Sequence, residues 1–209
     1  MNDSPLPALP LPQFTFLCGS LGQGQVELMT ELVSRDDNLI RMDFTYPIHN
    51  MLSELFPDTC PAMLDPLANL SHGVLGHPTR EALNHDFPSL GNVDINQFII
   101  TMTTGLRLAF GPNSLGMLAY RYIVQHDILD NFKRVIFTDA LDERDISLFI
   151  THYNAENVLC LHLGDMDRQY GTAGLACSHI WLSEPSLSRR ISTLEKELSN
   201  GRPVSGNHN

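Results

Sequence analysis

Residues 14–28 read FTFLCGSLGQGQVEL, and the fold turns on how this stretch is read. The run Phe14–Cys18 has the length and unbroken hydrophobicity of a strand buried on both faces. It breaks into three glycines within six residues, Gly19, Gly22 and Gly24, then resumes as QVELMTELV with helical spacing. Strand, glycine turn and helix N-terminus form the layout of a phosphate-binding loop, G-x-x-x-x-G-K-[ST]. In such a loop the glycines let successive backbone N–H groups curl around phosphate oxygens, and the helix dipole adds partial positive charge. Gly19, Ser20, Gly22, Gln23 and Gly24 supply those backbone positions, with Gln25 where the lysine belongs and Val26 where the metal-binding hydroxyl belongs. By itself the turn has two readings: a nucleotide loop with altered side chains, or a glycine turn that serves packing alone. A dinucleotide fingerprint is not met, because spacing from Gly22 and Gly24 puts Glu27 at the last glycine.

Working outward, residues 1–13 carry four prolines and read as an extended arm outside the core. The spacing predicts a helix over 26–34, a strand over 38–43 and a helix over 47–56 opened by Pro47. Residues 57–96 are rich in Pro, Gly, Asn and His and read as an irregular lobe with a short helical piece at 79–84. Helices over 97–110 and 115–130 complete an irregular and helical lobe spanning 57–130, the substrate lobe of the resemblance drawn below. RVIFTDA (134–140) is a buried strand, 143–152 a helix and NVLCLHL (157–163) another strand. A loop then leads to His179 and a last helix over 187–198, and 199–209 form a polar tail. Continuously apolar strands alternating with helices predict one α/β domain over 14–198, a three-layer fold with a mainly parallel central sheet.

The chain of 209 residues carries a formal net charge of -11, and its basic residues form no run longer than a doublet, as at Lys133-Arg134 and Arg189-Arg190. That field opposes binding to nucleic acid or an anionic membrane, so neither is an expected partner. The four cysteines, Cys18, Cys60, Cys160 and Cys177, have no C-x-x-C spacing, and the nine histidines show no H-E-x-x-H or H-x-x-x-H. No metal centre is expected on them, and Cys18 and Cys160 read as small buried hydrophobes. Reduced thiols and the lack of a charged leader or long apolar span predict a cytoplasmic protein. Ser20 lacks the G-x-S-x-G context of a hydrolase nucleophile.

Several further segments stand in a telling order. Phe44-Thr45-Tyr46-Pro47-Ile48-His49 follows the second strand, and Pro78-Thr79-Arg80-Glu81-Ala82-Leu83-Asn84 comes later. Met102-Thr103-Thr104-Gly105-Leu106-Arg107 precedes Phe110-Gly111-Pro112-Asn113-Ser114. The strand RVIFTDALDERD holds Asp139 and Asp145, and His179-Ile180-Trp181-Leu182-Ser183-Glu184 lies near the C-terminus. Together these resemble the deoxynucleoside monophosphate kinases of bacteriophages, within the P-loop nucleotide kinase family. They stand for F-A-D-P-[LI]-K, [TP]-x-R-E-x-L-Q, L-G-T-E-W-G-R, P-D-x-W, V-I-x-D-x-R-x-x-x-E and H-x-S-E, in that order, across most of 14–198.

The resemblance implies a P-loop kinase-like fold and phosphoryl transfer from ATP, with Mg2+, to a nucleoside or deoxynucleoside monophosphate. It places the donor on Gly19–Val26, the acceptor phosphate on Arg80 and Arg107, and Asp139 beside magnesium or the acceptor. It also implies the cytoplasm of an infected host cell. A planar guanidinium suits a phosphate, although a surface ion pair with one of the 24 acids suits Arg80 and Arg107 equally. His179 and Glu184 read as loop and cap residues. The departures run one way: Gln25 for lysine, Val26 for hydroxyl, Tyr46 for aspartate, His49 for lysine and Leu141 for arginine. Phosphoryl transfer is mostly electrostatic, and each lost donor costs about 3–4 kcal/mol of transition-state stabilisation. A second reading is therefore a catalytically degenerate relative that binds a nucleotide, a protein partner or a second copy of itself. Arg80, Arg107, Arg168 and Arg189 are the cations considered as replacements for the loop lysine.

Overall fold

The middle of the sheet is the quoted stretch itself: all five residues of β1 (Phe14–Cys18) are buried. The computed structural model describes residues 8–18, 24–48, 95–138, 142–164 and 171–200. Four more strands, β2 (Leu39–Met42), β3 (Arg134–Phe137), β4 (Val158–Leu163) and β5 (Ser178–Leu182), complete a sheet ordered β2-β3-β1-β4-β5. Every pairing is parallel, as continuously apolar strands require when helices cover both faces. Phe16 sits opposite Phe137 on one side and Cys160 on the other, and Cys18 sits opposite His162.

Alternation along the strands divides the core in two. Phe14, Phe16 and Cys18 face α3 (Ser114–Gln125) and α5 (Glu143–Tyr153). Phe16, Phe44 and Phe137 stack there, with Phe44 and Phe137 centroids 4.5 Å apart and Phe149 set edge-on to Phe137. Such ring pairs contribute about 0.5–1.5 kcal/mol each beyond the area they bury. On the opposite face Leu17, Leu161 and Leu163 pack with Leu28 and Leu32 of α1 (Gln25–Ser34) and Ile191 and Leu194 of α6 (Leu187–Ser199). Helix, sheet, helix gives the expected three layers.

Four sequence expectations need correction. His179 does not lie in a loop: SHIWL forms β5, buried at His179, Ile180 and Leu182, a strand too short and too polar to stand out by pattern. Residues 8–13 are not wholly outside the core, since Leu9 and Leu11 are buried against the α1–α6 layer. Residues 115–130 do not form one helix. α3 ends at Gln125, Asp127 turns left-handed at φ 49°, and a single turn, α4 (Ile128–Asn131), follows. Nor does α3 stand apart from the core in a lobe over 57–130, because Leu115, Ala119, Tyr122 and Ile123 recur at helical spacing and complete the aromatic core. α2 (Ile95–Phe110) precedes it. The predicted helix over 47–56 is helical at 46–48 and then passes outside the described residues, as do the expected irregular segment up to 94 and the tail.

Connections from β1 and β4 leave in opposite directions, β1 toward β2 at one edge and β4 toward β5 at the other. The crevice above their carboxyl ends is the topological switch point, where open parallel sheets bind ligands.

Candidate functional site at the switch point

The glycine-rich segment follows β1 directly in sequence. Gly19, Ser20, Gly22 and Gln23 lie outside the described residues. Gly24 is the N-cap of α1, left-handed at φ 77° and ψ 24°, a conformation glycine adopts without the penalty of a Cβ. Gln25 opens the helix and is buried, and Val26 follows it in the same turn. Over Gly24 lies the Arg190 guanidinium, with Nη1 in the space that a Cβ on residue 24 would need. Arg190 comes from α6, is buried, and its Nε donates to the Glu184 carbonyl at 2.7 Å. Glu184 Oε1 also accepts from the Thr193 hydroxyl at 2.6 Å.

A cation thus stands at the turn, but it is none of the four weighed from sequence. Arg189 is exposed, Arg80 and Arg168 lie outside the described residues, and Arg107 is engaged elsewhere. The next residue, Arg190, shares the buried stripe of α6 with Ile191 and Leu194. A helix turns about 100° per residue, so only one of the adjacent arginines faces α1.

Arg107, on the last turn of α2, joins Asp142 at 3.0 Å and Asp145 at 2.5 Å, and its Nη1 also donates to the Pro112 carbonyl. Asp142 caps α5 by accepting the Arg144 N–H at 3.0 Å, and the Arg144 guanidinium holds its carboxyl below the ordinary range. Asp145 is buried and accepts the Gly116 N–H at 2.8 Å. Burial pushes its carboxyl upward, opposed by the Gly116 N–H and Arg107. In this arrangement Arg107 ties α2 to the start of α5. Asp139 lies outside the described residues, two positions past the end of β3.

Sequence reasoning overlooked two groups. Asp43, just past β2, is buried at the carboxyl edge, accepts the Thr138 hydroxyl and lies 3.8 Å from Arg41 Nη2. An acid directly after an apolar strand is the signal that the sequence carries for it.

The second group lies on the aromatic face of the sheet, at the β4–β5 side. The Cys160 and Cys177 sulfurs are 3.6 Å apart, Cys177 Sγ is 3.7 Å from His179 Nε2, and His179 Nδ1 is 2.9 Å from His162 Nε2. His162 stacks on Trp181 with centroids 4.6 Å apart. The Cys160 thiol beside Cys177 pulls the latter down to about 6 against the effect of burial, with His179 assisting. Cys160 is held well above the ordinary thiol range, first by Cys177 and then by Cys18. Burial lowers His162 to about 4, whereas at His179 the same penalty is outweighed by contacts with Cys177 and the Leu175 carbonyl, which raise it. Spacing along the chain gives no sign of this group: parallel pairing of Cys160 with His179 brings the three side chains together from distant positions.

These features define a three-layer α/β protein with an all-parallel five-stranded sheet among the described residues, with α1 following its central strand. No protein-family model matches the chain, and no curated protein matches it at a significant level. No helix among the described residues is long and apolar enough to cross a membrane.

Proposed function

We propose that the protein binds the phosphate chain of a nucleotide at the turn between β1 and α1, as a P-loop kinase-like relative with degenerate phosphoryl-transfer chemistry. The observation that carries this reading is the Arg190 guanidinium over Gly24 at the N-terminus of α1. Backbone N–H groups at a helix start need no side chain to hold a phosphate, and a guanidinium adds charge and a planar fork of donors. Against transfer stand the buried Gln25, the absence of a hydroxyl at Val26 and the engagement of Arg107 by two carboxylates. ATP is the expected ligand, and Mg2+ would have to be held by phosphate oxygens and carboxylates such as Asp43 or Asp139 rather than by residue 26.

A second reading, an active kinase for a nucleoside or deoxynucleoside monophosphate, is favoured by the same arginine, which would serve where the lysine is missing. One experiment separates the two. Thermal unfolding is followed with ATP, with and without Mg2+, and ADP release is then assayed across the four deoxynucleoside monophosphates. Binding predicts stabilisation of about 2.7 kcal/mol at a hundredfold excess over Kd, lost in Arg190→Ala, with no ADP release. ADP release above the solvent rate establishes the kinase reading. No stabilisation at millimolar ATP under any of these conditions removes both.

A further inference from the structure

Two thiols and an imidazole converge beneath the turn preceding β5, and nothing in the nucleotide reading uses them. Cys160 is in the middle of β4, Cys177 lies one residue before β5 and His179 is its second residue. The sulfurs are 3.6 Å apart, the Cys177 sulfur is 3.7 Å from His179 Nε2, and all three ligand atoms lie within 4.8 Å of one another. A tetrahedral zinc ion with Zn–S of about 2.3 Å and Zn–N of about 2.0–2.1 Å sets neighbouring ligand atoms about 3.5–3.8 Å apart. Two of the three edges already meet that spacing, and the third is no longer than 4.8 Å. A disulfide would need the two thiols and a two-electron oxidant but no third donor, whereas a zinc-class ion takes thiolates and an imidazole nitrogen together.

The surroundings match what a ligating imidazole needs. His179 Nδ1 has His162 Nε2 at 2.9 Å, so an Nδ1–H donated to His162 fixes the ring and leaves Nε2 for the ion. Without an ion, Nε2 lies 2.9 Å from the Leu175 carbonyl and carries the proton that this contact uses. His162 is in turn held by stacking on Trp181. Cys160 and His179 are buried and Cys177 is half-buried, so Cys177 is the most accessible of the three ligands.

We propose that Cys160, Cys177 and His179 form a binding site for one thiophilic divalent ion of the zinc class, with His162 as the outer partner that orients His179. Uptake releases the remaining thiol protons to solvent, while the His179 proton moves from Nε2 to Nδ1 and the ring stays neutral. The bound ion joins β4 to the start of β5, on the strand beside β1 and its glycine turn.

The test is an anaerobic titration of the reduced full chain with Co2+, followed by displacement with Zn2+. The expected result is one cobalt per chain, with the visible bands of a tetrahedral ion and a near-ultraviolet thiolate-to-cobalt band, all lost on adding one equivalent of zinc. Cys160→Ser and Cys177→Ser should each lose thiolate intensity and weaken binding by at least about 10-fold, while Cys18→Ser keeps the spectrum. His162→Phe should weaken binding with the thiolate band retained. A readout without substitution guards against misfolded variants: zinc should protect Cys177 of the unaltered chain from iodoacetamide, located by peptide mass. The proposal is overturned if the reduced chain takes up no cobalt, if both serine variants bind with unchanged spectrum and affinity, or if stoichiometric zinc leaves Cys177 alkylation unchanged.

Discussion

Arg107→Ala distinguishes a phosphate clamp from an interhelical tie. In the folded chain the guanidinium joins Asp145 at 2.5 Å and Asp142 at 3.0 Å, and its own side chain is 26% exposed. Asp145 is 3% exposed at its side chain and retains one other donor, the Gly116 N–H at 2.8 Å. Breaking a fully buried ion pair from one side costs about 3–5 kcal/mol. Here the arginine is partly solvated and Asp142 keeps Arg144, so the expected loss is about 2 kcal/mol, or about 4–8 °C in Tm for a chain of this size. The pH dependence supplies the sharper test. Burial raises the folded pKa of Asp145 above its ordinary 3.8, so the folded state holds that proton more firmly than the unfolded state does. Stability from this group is complete below 3.8 and declines as pH rises through the folded value. Removing Arg107 raises the folded value further, so the variant's deficit should be small near pH 4 and grow toward neutrality. Urea unfolding of both chains between pH 4 and 7.5 measures this. A variant with an unchanged urea midpoint at pH 7 and a selective loss of monophosphate binding would refute the argument.

Three other outcomes are expected. In Gly116→Ala a Cβ would come within 2.7 Å of the Asp145 carbonyl oxygen and 2.9 Å of its Cα, both backbone atoms. Forcing α3 from α5 should cost about 1–3 kcal/mol, read as a lower urea midpoint at constant m. Gly24→Ala combines a left-handed φ of 77° with a collision with Arg190, so it should lose about 1–2 kcal/mol of stability and weaken the ATP-dependent rise in Tm. In the reduced, metal-free chain, iodoacetamide should modify Cys177 with a rate half-maximal near pH 6, since its thiol is held at about 6. Cys160→Ala should move that midpoint upward, because the Cys160 thiol is the main cause of the depression, and an unmoved midpoint would contradict the assignment.

Much of the sheet was legible as pattern. FTFLC, NLIRMD, RVIFTDA and NVLCLHL are short apolar runs between turn or helical signals, and a strand buried on both faces has no other composition. α5 was legible because Asp142, Glu143 and Asp145 crowd its first turn while Ile146, Phe149 and Ile150 repeat at helical spacing. β5 was not, because Ser178, His179 and Trp181 dilute its apolar signal and its burial comes from pairing with β4. Gly116 carried no visible mark: a helical glycine looks like a propensity defect until another backbone is found against it. At the candidate site the turn and the need for a cation were readable, and the identity of that cation was not. Choosing between Arg189 and Arg190 requires the rotational phase of α6, which is set by Ile191 and Leu194 packing beneath it.

The sequence alone thus determined the class of fold, a parallel α/β sheet with a glycine turn after its first strand, because hydrophobic period and glycine placement are local properties of the chain. Tertiary structure alone decided which charges meet. Arg190 reaches Gly24, Arg107 reaches Asp145, and Cys160 meets Cys177 and His179 through contacts between elements far apart in sequence. Parallel pairing sets strand neighbours by crossovers rather than by adjacent hairpins, so residue spacing along the chain carries no record of them.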